Sequence, residues 1–159
     1  MIVLVMGVSG VGKTTIGRLV ATRLGWPFID ADDHHPPANV AKMAAGIPLE
    51  DADRWPWLDR LNTLVKAHDD VVVACSALKE TYRRRLLSDI RDARVVYLYG
   101  TKALIAARIA ARKHRYMPAS LLDSQFAALE PPAAAIAIDV AAPPEDCAAA
   151  IAAALAERS

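Results

Sequence analysis

The sequence lacks an apolar run long enough to span a bilayer, although apolar residues make up 54% of it. Its apolar start, Met1–Val8, runs directly into glycines and Lys13. A signal peptide would need a basic beginning and a longer apolar core, and this segment has neither. These absences predict a cytoplasmic protein that has no membrane partner.

Cysteine and excess charge are also scarce. The two cysteines, Cys75 and Cys147, lie far apart and show none of the paired spacings typical of metal sites. We therefore expect both to be small buried residues of a protein in a reducing compartment. The net charge is only +1, and basic residues are scattered among acidic ones, which argues against a nucleic-acid partner.

Short apolar segments alternate with amphipathic ones along the chain. This order predicts an α/β fold with three layers, a five-stranded parallel sheet between helices, in one domain over residues 1–159. The predicted strands are Ile2–Met6, Phe28–Asp30, Val71–Cys75, Arg94–Leu98 and Ile136–Val140. The predicted helices are Lys13–Leu24, Pro36–Gly46, Ala52–His68 (interrupted by or starting at Pro56), Ala77–Leu87, Thr101–Lys113, Leu121–Leu129 and Glu145–Arg158.

A phosphate-binding motif lies between the first strand and the first helix. It fits the P-loop pattern G-x-x-x-x-G-K-[ST], and the flanking elements are the ones this motif requires. Glycines let backbone N–H groups point at phosphate oxygens, and the helix start adds positive potential. The predicted ATP-binding residues here are Gly7, Val8, Ser9, Gly10, Val11, Gly12, Lys13, Thr14 and Thr15. Lys13 would reach the β- and γ-phosphates, and the Thr14 hydroxyl would bind Mg²⁺.

The remaining motifs separate the classes of P-loop protein. The Asn-Lys-x-Asp and Asp-x-x-Gly motifs of GTPases are absent, and the buried strand that ends at Cys75 is not followed by the acidic residue of motor ATPases. Acidic residues instead follow the second strand, which suits a small-molecule kinase. Asp30 and Asp32 are two apart in a segment expected to be extended, so their side chains should point the same way. One would assist Mg²⁺, and the other would face the acceptor hydroxyl.

Longer segments carry a more specific pattern and resemble the gluconokinase family over most of the chain. The segments are Asp30-Ala-Asp-Asp-His-His-Pro-Pro-Ala-Asn39, Lys42-Met43, Gly46-Ile-Pro-Leu49, Asp51-Ala-Asp-Arg54-Trp-Pro-Trp-Leu58, Cys75-Ser-Ala-Leu-Lys79, Tyr82-Arg83, Leu121-Leu122, Ser124-Gln125-Phe126 and Leu129-Glu130-Pro131.

The resemblance implies a nucleoside-monophosphate-kinase-like P-loop fold with a lid at about 113–120. It implies ATP-dependent phosphorylation of D-gluconate to 6-phospho-D-gluconate, which would feed the pentose phosphate or Entner–Doudoroff route. A homodimer would be in keeping with it.

Two positions depart from that family pattern. Ala31 stands where glycine is usual between the two aspartates, which leaves both carboxylates in place. After Arg112, where the family usually reads Arg-x-x-His-Phe-Met, alignment on Met117 puts Arg115-Tyr116 in the His-Phe positions. This difference bears on the detailed role of the lid rather than on the activity.

Roles for the site residues follow from the chemistry of a polyol carboxylate and from the resemblance. Asp32 is the predicted base or orienting group, Asp30 assists Mg²⁺, and His35 contacts acceptor hydroxyls. Lys79 and Arg83, four apart at a predicted helix start, would form a cationic clamp together with Arg54. By resemblance, Arg108 would stack near adenine, and Arg112 would contact the transferring phosphoryl group. Lys13, Asp32 and Arg112 are thus the predicted catalytic residues.

Several alternatives remain open at this stage. His35 would equally suit a surface histidine, Trp55 and Trp57 are better explained by packing than by sugar stacking, and Arg84 and Arg85 suit a solvated basic turn. The acceptor could instead be shikimate or a nucleoside monophosphate. A nucleotide-binding regulator without phosphoryl transfer would keep the P-loop, but it would not need the acidic cluster, the cations and the lid together.

Overall fold

The computed structural model describes residues 1–111 and 119–157. A parallel sheet forms its centre, as the alternating apolar segments predict. The spatial order of its strands is β2-β3-β1-β4-β5, so β1 lies in the middle of the sheet. The strands are β1 (Ile2–Met6), β2 (Phe28–Asp30), β3 (Val71–Ala74), β4 (Ala93–Tyr99) and β5 (Ile136–Asp139).

Helices cover both faces of this sheet, which confirms the predicted three-layer α/β arrangement. In the described ranges they are α1 (Lys13–Leu24), α2 (Pro37–Ala44), α3 (Asp51–Lys66), α4 (Glu80–Leu86), α5 (Lys102–Ala111), α6 (Ala119–Ala128) and α7 (Pro144–Glu157). Side chains of β1 alternate between the two faces. Val3 and Val5 join a core with α1 and α7, whereas Leu4 and Met6 join a second core with α3 and α4.

The sheet brings the predicted functional segments to one edge. Strands β1, β2 and β3 are parallel neighbours, so the chain leaves all of them on the same side. The loop after β1 begins at Gly7, whose N–H donates to the Ser76 carbonyl after β3 at 3.4 Å. This edge therefore holds the P-loop, the acidic segment after β2 and the start of the Cys75–Lys79 motif.

The starts of α3 and α4 differ from the sequence pattern for identifiable physical reasons. Helix α3 starts at Asp51 and runs through Pro56, because Glu50 and Asp53 form a capping box that fixes the start upstream of the proline. Helix α4 starts at Glu80 rather than Ala77, because Ala77 has a φ of 44° and Lys79 is an extended N-cap. Three residues of the predicted helix therefore form a loop at the edge of the sheet.

The remaining features of the fold agree with composition. Cys75 and Cys147 are both free and buried, as predicted. Gly25 ends α1 in a left-handed conformation with a φ of 70°. The Thr101 hydroxyl caps α5 by accepting the Leu104 N–H at 3.1 Å. Within residues 1–111 and 119–157, no helix has the length and apolar character needed to cross a membrane.

Candidate active site

The loop between β1 and α1 encloses a cavity of about 400 Å³. Its lining residues are Ser9, Gly10, Gly12, Lys13, Thr14, Thr15 and Asp32. Gly10 has a φ of 88°, and a Cβ there would lie 2.7 Å from the Ile109 side chain on α5. At Gly7, a Cβ would lie 2.6 Å from the Leu98 carbonyl oxygen. Glycine at both positions lets the loop pass between β4 and α5 while its backbone faces the cavity.

The start of α1 supplies positive potential to this cavity, which we call the phosphate pocket. Among the described residues, no side chain caps the helix at Gly12, which has a φ of 95°. The first N–H groups of α1 are therefore oriented for an anion. The Lys13 ammonium group donates to the Val8 carbonyl at 3.0 Å, which bends its side chain back over the loop. The pocket suits a chain of phosphates.

Two acidic side chains, Asp30 and Asp32, lie at or beside the phosphate pocket. The Thr14 hydroxyl donates to an Asp30 carboxylate oxygen at 3.0 Å. A hydroxyl and a carboxylate are donors that suit a hard cation, whose other positions would go to water and phosphate oxygens. Asp32 is exposed and lines the same pocket. The predicted Thr14, Asp30 and Asp32 therefore lie together beside the P-loop.

The reason given from the sequence for pairing Asp30 with Asp32 is wrong. The segment is not extended, because Ala31–His34 forms a 3₁₀ turn after β2. Asp30 caps this turn by accepting the Asp32 N–H at 3.0 Å, so the two carboxylates are offset rather than parallel. Asp30 faces Thr14, while Asp32 stands at the mouth of the pocket.

A second cavity of about 580 Å³ borders the P-loop, and we call it the acceptor cavity. It is lined by Met43, Gly46, Ile47, Pro48, Leu49, Arg54, Trp57, Leu58, Ser76, Ala77, Leu78, Tyr82, Leu121, Ser124, Gln125 and Ala128. Ser76 bonds Gly7 through its backbone, and Gln125 bonds Ser9, so two wall residues touch the phosphate loop. The two cavities are therefore neighbours.

His35 contacts a wall residue of the acceptor cavity, Trp57, and feels the charge of Asp32 in the phosphate pocket. Its ring stacks on Trp57 with 4.1 Å between centroids, and its Nδ1 lies 3.2 Å from the Asn39 amide nitrogen. Since Asn39 donates there, Nδ1 accepts, and neutral His35 carries its proton on Nε2. Burial lowers the pKa of His35, with a smaller opposing effect of Asp32 and a further lowering by Arg54. A neutral histidine with a free Nε2–H suits contact with a hydroxyl oxygen.

Two of the predicted clamp cations meet at one aromatic ring of the acceptor cavity. The Arg54 guanidinium lies 5.2 Å from the centroid of the Tyr82 ring, and the Lys79 ammonium group lies 5.8 Å from it. Arg54 also pairs with Asp51 at 3.5 Å. Burial and a hydrogen bond to Asp51 raise the pKa of Tyr82 to about 12, so its hydroxyl stays protonated. This end of the cavity is the cationic one.

Arg83, the third predicted clamp residue, points away from the acceptor cavity. Its side chain is 4% exposed. Its guanidinium donates to the carbonyls of Ala77, Leu78 and Glu130 at 2.8 to 3.1 Å and to the Glu80 carboxylate. The helical spacing that paired it with Lys79 does not hold, because α4 starts only after Lys79. Arg83 fixes the loop on which Lys79 stands.

Trp55 and Trp57 serve packing, which the sequence favours over sugar stacking. The Trp57 indole is 4% exposed and donates to the Ala31 carbonyl at 2.8 Å. Trp55 packs edge-on against Tyr82 at 5.9 Å, and the Arg85 guanidinium lies 5.3 Å from a Trp55 ring centroid. Arg85 also pairs with Asp59 at 2.7 Å. Arg84 and Arg85, in the last turn of α4, therefore lie outside both cavities.

Only part of the predicted lid falls within the described residues. Arg108 lies in the last turn of α5. Burial raises the pKa of the Cys147 thiol on α7, and the charge of Arg108 opposes that rise. Arg112, Arg115 and Tyr116 lie outside the described residues.

Two residues of the site were not assigned a role from the sequence. Tyr82 carries the two cations, and Gln125 joins the acceptor cavity to the P-loop. The cavity face of α6, Leu121, Ser124, Gln125 and Ala128, has the i, i+3, i+4, i+7 spacing of one helical face. That spacing is visible in the sequence, but it is equally typical of a helical face that packs in the core.

Known proteins match this chain over most of its length. A family model described as shikimate kinase matches residues 9–128. The chain is similar to the gluconokinase of Gluconobacter oxydans (strain 621H), at 51% identity over 80% of this chain and 74% of that protein. The thermosensitive gluconokinase of Escherichia coli (strain K12) is 47% identical over 82% of this chain and 72% of its own length.

A solved structure agrees with these relatives. The crystal structure of a gluconokinase from Sinorhizobium meliloti 1021 superposes with a TM-score of 0.91 and 42% identity, covering 98% of this chain and 91% of that one. The resemblance drawn from the sequence motifs is thereby confirmed. With its P-loop, its acidic segment and its adjoining acceptor cavity, the chain belongs to the gluconokinase family of ATP-using P-loop kinases.

Proposed function

We propose that the chain transfers the γ-phosphoryl group of ATP to D-gluconate and releases ADP and 6-phospho-D-gluconate. One observation carries the assignment: wall residues of a cavity with a cationic end, Ser76 and Gln125, bond directly to the loop of the phosphate pocket, which Asp32 also lines. The names of the three similar proteins given above, which are gluconokinases, support the choice of acceptor.

The acceptor would lie with its carboxylate at the cationic end of the cavity. Arg54 and Lys79 flank Tyr82 there and would neutralise the carboxylate. The hydroxyl chain would then extend toward the P-loop and meet His35 Nε2–H and the cavity hydroxyls. The terminal hydroxyl would reach Asp32, which makes O6 the acceptor atom. Arg83 acts in this proposal by positioning the loop of Lys79, not by contacting gluconate.

The reaction itself is an in-line displacement at the γ-phosphorus. The O6 oxygen forms a bond to phosphorus, the bond to the bridging oxygen of ADP breaks, and the O6 proton passes to Asp32. Lys13 and the N–H groups of the loop stabilise the charge on the transferring group. Mg²⁺, held by Thr14 and Asp30, would neutralise the phosphates. Arg108 would stack near adenine, and Arg112 would contact the transferring group.

The test is an assay of ADP release with a panel of acceptors: gluconate, other polyol acids, sugars, shikimate and nucleoside monophosphates. Release with gluconate far above the others is the expected result. Clear release with shikimate or a monophosphate and none with gluconate would overturn the acceptor. No release with any acceptor, alongside tight ATP binding, would identify a nucleotide-binding regulator. A cytoplasmic location and a homodimer remain predictions.

A further inference from the structure

One side chain, Gln125 of α6, holds the phosphate loop by two hydrogen bonds. Its Oε1 accepts the Ser9 backbone N–H at 2.7 Å, and its Nε2 donates to the Ser9 hydroxyl at 2.9 Å. Ser9 and Gln125 are 116 residues apart in the chain. The pair fixes the orientation of the amide, because a flipped amide would oppose two N–H donors. Ser9 is thus gripped through both its backbone and its side chain.

The position of this pair gives it a consequence beyond packing. Ser9 lines the phosphate pocket, and Gln125 lines the acceptor cavity. The face of α6 that carries Gln125 also presents Leu121, Ser124 and Ala128 to the acceptor cavity. A displacement of this helix by a bound acceptor would therefore be transmitted to the P-loop through one carboxamide.

We propose that Gln125 is a positioning residue that aligns the γ-phosphoryl group with the acceptor by clasping Ser9. The inference rests on the proposed gluconate kinase activity and deepens it. Phosphoryl transfer depends on alignment, and a misplacement of about 1 Å can lower a rate by roughly 10²-fold. Loss of the clasp leaves both substrates bound in their own cavities but poorly aligned with each other.

The experiment compares steady-state kinetics of Gln125→Ala, Gln125→Glu, Ser9→Ala and the double variant Ser9→Ala/Gln125→Ala. Gln125→Ala is expected to lower kcat with gluconate by about 10- to 100-fold. The KM values for ATP and gluconate should each change by less than roughly threefold, since positioning is lost rather than binding.

The other variants separate the clasp from a general loss of packing. Ser9→Ala keeps the backbone bond and should cost less than Gln125→Ala, and the double variant should be no worse than Gln125→Ala alone, because both changes break one interaction. In Gln125→Glu the Ser9 hydroxyl can turn and donate to the carboxylate, so kcat should recover in part while the new charge weakens ATP binding.

Asp123→Asn serves as the matched control on the same helix. Asp123 pairs with Lys102 at the surface and does not line the acceptor cavity. The kinetic constants of Asp123→Asn should therefore match those of wild type. A kcat for Gln125→Ala within twofold of wild type, an equal loss in Asp123→Asn, or independent effects of Ser9 and Gln125 would overturn the proposal. Failure of wild type to phosphorylate gluconate would instead overturn the proposed function.

Discussion

The phosphate pocket and the acceptor cavity are built in different ways. The first comes almost wholly from consecutive residues of one loop and uses backbone N–H groups, with Asp32 as its one distant member. The second takes residues from α2, the loop after α2, α3, the loop before α4, α4 itself and α6. Backbone recognition tolerates little change in sequence but needs few residues. Side-chain recognition across six segments depends on how each of them is held.

Removal of the lysine from the phosphate pocket should impair catalysis most. Lys13→Met keeps the length of the side chain but removes the charge that meets the transferring phosphoryl group. We expect kcat to fall by roughly 10³–10⁵-fold, the range for one cation that stabilises this transition state. The KM for gluconate should change little. Steady-state kinetics measures both, and a kcat within tenfold of wild type would contradict the assignment.

Removing the acidic group at the boundary should have the next largest effect. Asp32→Asn keeps the size of the side chain but cannot accept the O6 proton, so we expect a loss of about 10²–10⁴-fold in kcat with ATP binding retained. Asp33→Asn is the matched control, because Asp33 is equally exposed and does not line the phosphate pocket. An equal loss in both variants would show that only the summed negative charge matters.

Variants of Arg83 test whether the acceptor cavity depends on a residue that holds its wall without lining it. Arg83→Met should lower the free energy of unfolding by about 2–4 kcal/mol, because buried carbonyls and the Glu80 carboxylate lose their partner. Arg84→Met, at a neighbour that is 77% exposed, should change it by less than about 0.5 kcal/mol. Urea unfolding measures both. Unchanged stability in Arg83→Met with a much higher gluconate KM would instead indicate direct contact.

The smallest effect concerns His35, which stacks on Trp57 of the acceptor cavity. Burial lowers the pKa of His35 below 6.5, so the unfolded chain binds a proton more readily than the folded one. Its contribution to stability is therefore complete above pH 6.5 and is lost as the pH falls toward the folded pKa. Unfolding free energies of wild type and His35→Gln should converge on acidification. A difference that does not change with pH would show that the fold leaves the pKa of His35 unshifted, and one that grows as the pH falls would show that the fold raises it.

The sequence predicts the phosphate pocket almost completely and the acceptor cavity only in part. The spacing of the glycines around Lys13 specifies a loop, and the local backbone geometry of that loop forms the pocket. The failure at Arg83 has a physical cause: its helical spacing to Lys79 assumes a helix that Ala77, in a left-handed conformation, delays until Glu80. Tyr82 and Gln125 gain their roles from tertiary contacts, since Arg54 and Ser9 are distant in the chain. Spacing along one segment carries no information about such contacts.

The junction between α6 and α4 anchors the C-terminal end of α6. Beyond the last turn of α6, the Glu130 N–H donates to the Leu78 carbonyl, its carboxylate accepts the Glu80 N–H, and its own carbonyl accepts from Arg83, all at 2.8 Å. Ten helical residues span about 15 Å, so a rotation of about 10° at this anchor would carry the start of the helix through roughly 3 Å. Gln125 lies about midway along α6 and would move about half as far. A small rotation of α6 about this anchor would thus displace the phosphate loop by atomic distances.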